Sequence, residues 1–344
     1  MLAHGGGGVM MQELIGGLIL RHLGNPTLNR LEDAAVLAPC GSRLAFTTDA
    51  FVVKPLFFGG GDIGRLAVCG AVNDLAAVGA EPLALSLSLV IEEGLAVSAL
   101  DRVLQSVAAT AAEARVAVVT GDTKVVERGA ADGLFLITAG IGAVCDGVNL
   151  SPAEVRPGDA VIATGTLGDH GIAIISQRSG IEFESPVQSD AAPLGGLVAH
   201  LFAENGGASA VRLRAAVHCM RDPTRGGTAA VLNEIAAAAK VKIEVEEKLL
   251  PIRPEVAAAC DMLGFDPLYV PGEGRLIIFC AEEAAGLLVE RLRSHPLGAD
   301  AVRIGSVKKA DPEPGRTGRV VLRTRIGGTR VVAMPYGEQL PRIC

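Results

Sequence analysis

The chain has no tryptophan, and none of its apolar runs approaches the roughly 20 residues that a membrane-crossing helix needs. Its best stretch, residues 83–91, is short and interrupted by Ser86 and Ser88. Residues 1–8 lack the basic end and apolar core of an export signal, so no export and no membrane partner are expected. Basic charge is not in excess either. The 31 Lys and Arg against 38 Asp and Glu leave a net charge of −7, with no basic stripe interleaved with aromatics, which argues against nucleic acid as a partner. Cys40, Cys69, Cys145, Cys219, Cys260, Cys280 and Cys344 are odd in number, widely spaced and never arranged as C-x-x-C. Disulfides and a zinc site are therefore not expected, and a reducing cytoplasm fits. Cys69, Cys145 and Cys280 lie in apolar segments and are expected as small core residues. A Walker loop is also missing, since no G-x-x-x-x-G-K-[ST] occurs.

What remains is an aliphatic chain of 344 residues, half of them hydrophobic, long enough for two cores. Strands are expected at residues 44–48, 116–120, 134–141 and 160–164, where β-branched and aliphatic residues cluster between Gly-rich turns. A helix over 97–114 follows from the spacing of Leu100, Val103, Leu104, Val107, Ala108 and Ala111, with Ser98 and Asp101 in capping-box positions. Helices near 171–178, 227–240 and 282–293 and strands at 241–245 and 275–279 form a second α/β set. The polar turn at 151–159 is the expected boundary between the two. A hairpin of 319–323 with 330–333 precedes the tail. The fold class is mixed α/β, divided as 1–37, 38–150, 151–310 and 311–344.

The last residue is a cysteine on an eleven-residue tail, 334–344, that spans roughly 36 Å when extended. A thiolate at a chain end can carry a covalent group into a distant site. Carboxylates beside turns suit Mg²⁺, a hard cation that bridges carboxylates to phosphates. Asp33, Asp49, Asp74 and Asp122 are the four candidates, although turn formation alone explains any one of them. Gly121, Asp122, Thr123 and Lys124 combine backbone N–H groups, a hydroxyl and an ammonium suited to phosphate. The helix expected after Arg221-Asp222-Pro223-Thr224-Arg225-Gly226-Gly227 can hold an anion at its N-terminus or simply be a capped turn. Glu273, between Gly272 and Gly274, is a candidate general base. The glycines at 5–8 suit a flap over phosphates, Gly59, Gly60, Gly61 and Asp62 introduce a helix, and His170 at a helix start fits a structural hydrogen bond.

Thr48-Asp49-Ala50, the segments 70–79, 119–129, 165–171 and 222–227, and the terminal Pro341-Arg342-Ile343-Cys344 together resemble the HypE family of hydrogenase maturation factors. These carbamoyl dehydratases make the cyanide ligands of NiFe hydrogenases, and they share an ATP-binding superfamily with aminoimidazole ribonucleotide synthetase and selenophosphate synthetase. The resemblance spans essentially the whole chain and implies a two-domain, synthetase-like fold. A homodimer built by the first domains and a mobile C-terminal tail are implied as well. It implies ATP held by Gly121, Asp122, Thr123, Lys124, Asn73, Gly226 and Gly227, with Mg²⁺ on the four aspartates. A carbamoyltransferase partner, HypF, would load Cys344, and Glu273 or Lys124 would take a nitrogen proton during ATP-dependent dehydration to a thiocyanate. An iron-carrying HypC–HypD complex would receive the cyanide. Gly6 stands where the family usually has Ser, and Gly272 where many members have Asn. A selenophosphate-synthetase-like enzyme or small-molecule kinase, a metal carrier using Cys344, and an inactive nucleotide-binding scaffold are the competing readings.

Overall fold

Strand Leu134–Val144 alternates buried and half-buried residues along its whole length, the period of a strand with one face on a core. It is the central member of a five-stranded sheet. In the computed structural model, which describes residues 8–20, 28–37, 43–180, 187–202, 207–310, 318–337, 340 and 342–344, that sheet comprises β1 (Ala35–Leu37), β2 (Leu44–Phe51), β5 (Ala80–Glu92), β6 (Val118–Val126) and β7 (Leu134–Val144). Expectations attached to residues 4–7, Cys40, residues 311–316 and Pro341 lie outside the described residues. The order is β1-β2-β7-β5-β6, antiparallel except for the parallel pair β5 and β6. The short hairpin of β3 (Phe57–Phe58) and β4 (Gly61–Asp62) delivers the chain to a helix. Asp62 caps that helix by accepting from the Gly64 and Arg65 N–H groups at 2.7 and 3.1 Å.

Two helices serve this sheet, after a first short one, α1 (Val9–Leu14). The helix α2 (Ile63–Ala77) packs on β2, β5 and β7, and α3 (Val97–Glu113) lies beside α2. Because α2 meets the sheet on one side and the second domain on another, it is buried almost all round, and no amphipathic stripe marks it. In α3 the expected capping box is absent: Ala96 is the N-cap without a side-chain bond, and Asp101 accepts from Gln105 Nε2 at 2.8 Å instead. Ser98 lies inside the first turn, two residues past the cap position.

The second sheet has seven strands in the order β14-β13-β10-β12-β8-β11-β9: β8 (Ala160–Ala163), β9 (Val217–Arg221), β10 (Lys242–Glu246), β11 (Ile277–Cys280), β12 (Val302–Lys308), β13 (Arg319–Arg323) and β14 (Thr329–Val331). Its middle strands are buried on both faces. Ile278 and Cys280 join one apolar cluster with Leu197 and Leu288, from helices α5 (Gly195–Phe202) and α9 (Glu282–Arg293). Ile277 and Phe279 join another with Leu232 and Ile235 of α7 (Gly227–Ala239). Helices α4 (Asp169–Ser179), α6 (Gly207–Ala216) and α8 (Pro254–Leu263) complete the set among the described residues. None of these helices is long and apolar enough to cross a membrane.

Asn73 of α2 ties the two sheets together. Its amide donates to the carbonyls of Ala192 at 3.1 Å and Glu273 at 2.9 Å, while its oxygen accepts from the Leu194 N–H at 2.7 Å. Arg65 adds a 2.7 Å bond from Nε to the Ala191 carbonyl.

Candidate functional site

Backbone periodicity brings Thr47 and Asp49 to the face of β2 that meets α2. There Thr47 Oγ1 donates to Asp74 Oδ2 at 2.5 Å and reaches the Asp33 carbonyl at 3.2 Å. Asp222, directly after β9, completes a carboxylate cluster: Asp33, Asp74 and Asp222 each offer an oxygen within 4.8 Å of the others. Asp33 is also paired with Arg221, Nε to Oδ1, at 2.8 Å. Burial pushes the Asp33 carboxyl up to about 6 against the pull of Arg221. For Asp222, burial and then Asp33 push it up to about 7, and Asp74 is raised well above 3.8 by burial followed by Asp222 and Asp33. Three hard oxygen donors that repel one another are the chemistry a divalent cation relieves, so the residues fit Mg²⁺.

Around this cluster lie Asp49, Arg225 and Glu273. Arg225 Nη2 is 3.8 Å from Asp49 Oδ1, and Asp49 also accepts its neighbour Ala50 N–H at 2.8 Å. Glu273 is 2 % exposed, its N–H donates to Asp190 Oδ1 at 3.1 Å, and its own Oε1 has no hydrogen-bond partner. Burial, then Asp222 and Asp49, raise its pKa well above the ordinary carboxylate value. Gly226 and Gly227, both with positive φ, start α7 beside Arg225. A Cβ on Gly227 would stand 2.7 Å from the Leu268 carbonyl oxygen, so only glycine lets the helix start here.

The tail is docked, not loose. The Val52 N–H donates to the Cys344 carbonyl at 3.0 Å and the Lys54 N–H to the Arg342 carbonyl at 3.3 Å, two main-chain bonds to the segment that follows β2. Arg342 Nε returns a 2.9 Å bond to the Val52 carbonyl and its Nη1 pairs with Asp132. Arg178 Nη2 donates to the Arg342 carbonyl at 2.8 Å, and His170 Nε2 lies 2.9 Å from the Ile343 carbonyl. Ile343, 3 % exposed, joins the apolar cluster of Phe51, Val53, Ile174 and Ile175. Burial, then Glu273, raise the Cys344 thiol pKa far above its usual value, with Asp49 and Asp222 adding to the rise and Arg225 opposing it. Those charges surround the sulfur.

Asp122 and Lys124 are not brought to this place. The segment 121–124 lies within β6, the exposed edge of the sheet, rather than in a turn after a strand. Asp49, Thr138, Leu87 and Gly121 form one row across the sheet, so β6 lies three strand spacings, about 14 Å, from β2. Alternation then turns Asp122 and Lys124 to the face opposite Asp49. There they pair with each other, Nζ to Oδ2, at 3.0 Å, and Lys124 holds the Asp122 carboxyl below its usual value. Gly121 lets β6 approach β5, since a Cβ would be 2.0 Å from the Leu87 carbonyl oxygen. Thr123 shares this edge strand, and Asn73 spends both amide protons on main-chain carbonyls.

With the geometry in place, the chain can be set beside known proteins. Residues 31–144 match the family model of AIR synthase related proteins, N-terminal domain, and residues 156–314 the model of the C-terminal domain. Carbamoyl dehydratase HypE of Rhizobium leguminosarum bv. viciae is 48 % identical over 343 residues, 100 % of this chain and 94 % of that protein. The chain belongs to the HypE family. Two solved HypE structures superimpose along nearly all of it. The HypE–HypF complex matches with a TM-score of 0.86 at 41 % identity, covering 94 % of this chain and 99 % of that one. HypE in complex with ATP matches at 0.82 and 46 %, covering 100 % and 99 %. The mixed α/β, two-domain fold expected from the sequence is thus the HypE fold.

Sequence reasoning passed over Asp222 as a candidate ligand, because the strand β9 that ends just before it was not among the expected strands. Arg178 and Asp132 carried no local signal, because only the fold brings them to the tail.

Proposed function

We propose that this protein dehydrates an S-carbamoyl group on its own Cys344 to a thiocyanate at the expense of ATP, for use in making the cyanide ligands of hydrogenase iron. The observation that carries the reading is the docked tail, whose last sulfur lies among Glu273, Arg225, Asp49 and Asp222 beside the carboxylate cluster. Asp33, Asp74 and Asp222 would hold Mg²⁺, which when bound offsets the charge of the phosphate oxygens. Arg225 and the start of α7 at Gly226 and Gly227 favour the anionic phosphates. The carbamoyl oxygen attacks the γ-phosphorus and ADP leaves. Loss of phosphate and of the nitrogen protons then forms the C≡N bond, so the oxygen departs as phosphate rather than water. Glu273, buried and with raised proton affinity, accepts a nitrogen proton in this scheme. Ile343, buried in the apolar cluster next to Cys344, keeps water from this side of the sulfur.

A docked Cys344 with a raised pKa stays a thiol and is a weak nucleophile. Loading by a carbamoyltransferase of the HypF kind therefore belongs to an undocked tail, and so does transfer of cyanide to a HypC–HypD iron complex. The edge strand β6 exposes Val118, Val119 and Val125, which supports a homodimer through this edge. Only across such a contact can Asp122 and Lys124 serve a nucleotide site. A cytoplasmic location follows from the same reading. The test is a reconstituted hydrogenase maturation assay read by infrared bands of iron-bound cyanide: Cys344→Ala is expected to abolish them, and normal bands would contradict the proposal.

A further inference from the structure

We propose that His170 is a positioning residue for the dehydration, holding the Ile343 carbonyl and thereby fixing where the Cys344 sulfur sits. The inference rests on the reading of Cys344 as the group carrier. Arg342 turns the tail through a left-handed conformation. Val52 and Lys54 hold the Cys344 and Arg342 carbonyls, and the Ile343 carbonyl between them turns to the His170 imidazole. His170, in the first turn of α4, supplies the donor there at 2.9 Å. Without it the last peptide is anchored on one side only and can rotate about the tail axis, carrying the cysteine side chain with it.

The imidazole is itself locked. A carbonyl can only accept, so Nε2 carries the hydrogen toward Ile343. Burial lowers the pKa and keeps the ring neutral, so Nδ1 is the acceptor and the Ser189 hydroxyl, 2.8 Å away, donates to it while its oxygen accepts the Ala191 N–H at 3.1 Å. Phe58 packs edge-on against the ring, centroids 5.5 Å apart at 81°, and fixes its plane. The latch comes from the second domain while Val52 and Lys54 come from the first, so the tail is held only when both domains close on it.

The experiment uses the full-length protein carbamoylated at Cys344, with single-turnover conversion followed by intact mass and amide exchange followed at Val52 and Lys54. His170→Ala is expected to slow dehydration roughly 100-fold, with MgATP affinity and loading unchanged, and to speed exchange at both amides. His170→Gln, whose amide can donate to the same carbonyl, is expected to recover most of the rate, and Ser189→Ala to fall between. A wild-type rate and wild-type protection in His170→Ala overturn the proposal. So does a loss that His170→Gln fails to rescue and that extends to MgATP binding, which would mark a general structural role. If even the wild-type protein loses no mass with MgATP, the carrier reading fails by itself. The exchange data then still decide whether His170 holds the tail.

Discussion

At the residue scale, the proposed function gives Glu273 and Asp222 separable tasks. Glu273→Gln keeps the shape and removes the basicity, so MgATP binding and loading of Cys344 should persist. The single-turnover rate should fall by roughly 100-fold or more. An unchanged rate would exclude Glu273 as the base. Asp222→Asn removes one of the three clustered carboxylates and should weaken Mg-dependent ATP binding in calorimetry, while the same change at Asp122 should act only through the dimer. The pH dependence has a defined sign. Asp33 and Asp222 hold protons in the folded chain up to about 6 and 7, above the unfolded value of 3.8. Their contribution to stability is fully present below 3.8 and is lost as pH rises through 6 and 7. Without divalent cation the melting temperature should therefore fall between about pH 4 and 7 and level off above. Mg²⁺ should restore it most at the upper end, because the cation replaces those protons.

At the element scale, the sequence made some features plain and hid others for identifiable reasons. Helix α9 was legible to the residue and α7 to one, since their apolar spacing and Gly or Arg punctuation are local. The capping box of α3 was not there, because the chain enters the helix two residues earlier than Ser98 requires. The phosphate-like run 121–124 was legible as a motif, yet its placement on an edge strand depends on parallel pairing with β5, a long-range event that no local pattern encodes. The tail was expected to be mobile from its position at the chain end. Its docking depends on Asp132, His170 and Arg178, separated from their tail partners by 164 to 210 positions in the sequence, which only folding brings near. Two element-level outcomes follow. Asp62→Ala removes the cap of α2 and should cost about 1 kcal/mol in chemical denaturation. Ile343→Ala empties the apolar seat of the tail and should speed exchange at Val52 while leaving the melting temperature nearly unchanged.

At the scale of the whole molecule, the proposed homodimer would bring Asp122 and Lys124 of β6 to a partner's site across the exposed edge. Substituting Val119 on β6 with Lys should shift sedimentation to the monomer and abolish turnover, with the fold intact by circular dichroism. A monomer with full activity would place the entire site in one chain. The tail, the carboxylate cluster and Glu273 meet because α2 packs against both sheets, so the two domains form a single frame, which the proposed function uses for a substrate carried on the tail. The most direct test of that claim is intact mass spectrometry of the full-length protein carbamoylated at Cys344, before and after MgATP. The account predicts the loss of one water mass from the C-terminal peptide, dependent on ATP and absent in Cys344→Ala. An unchanged mass after ATP turnover, or the same loss in Cys344→Ala, would contradict it.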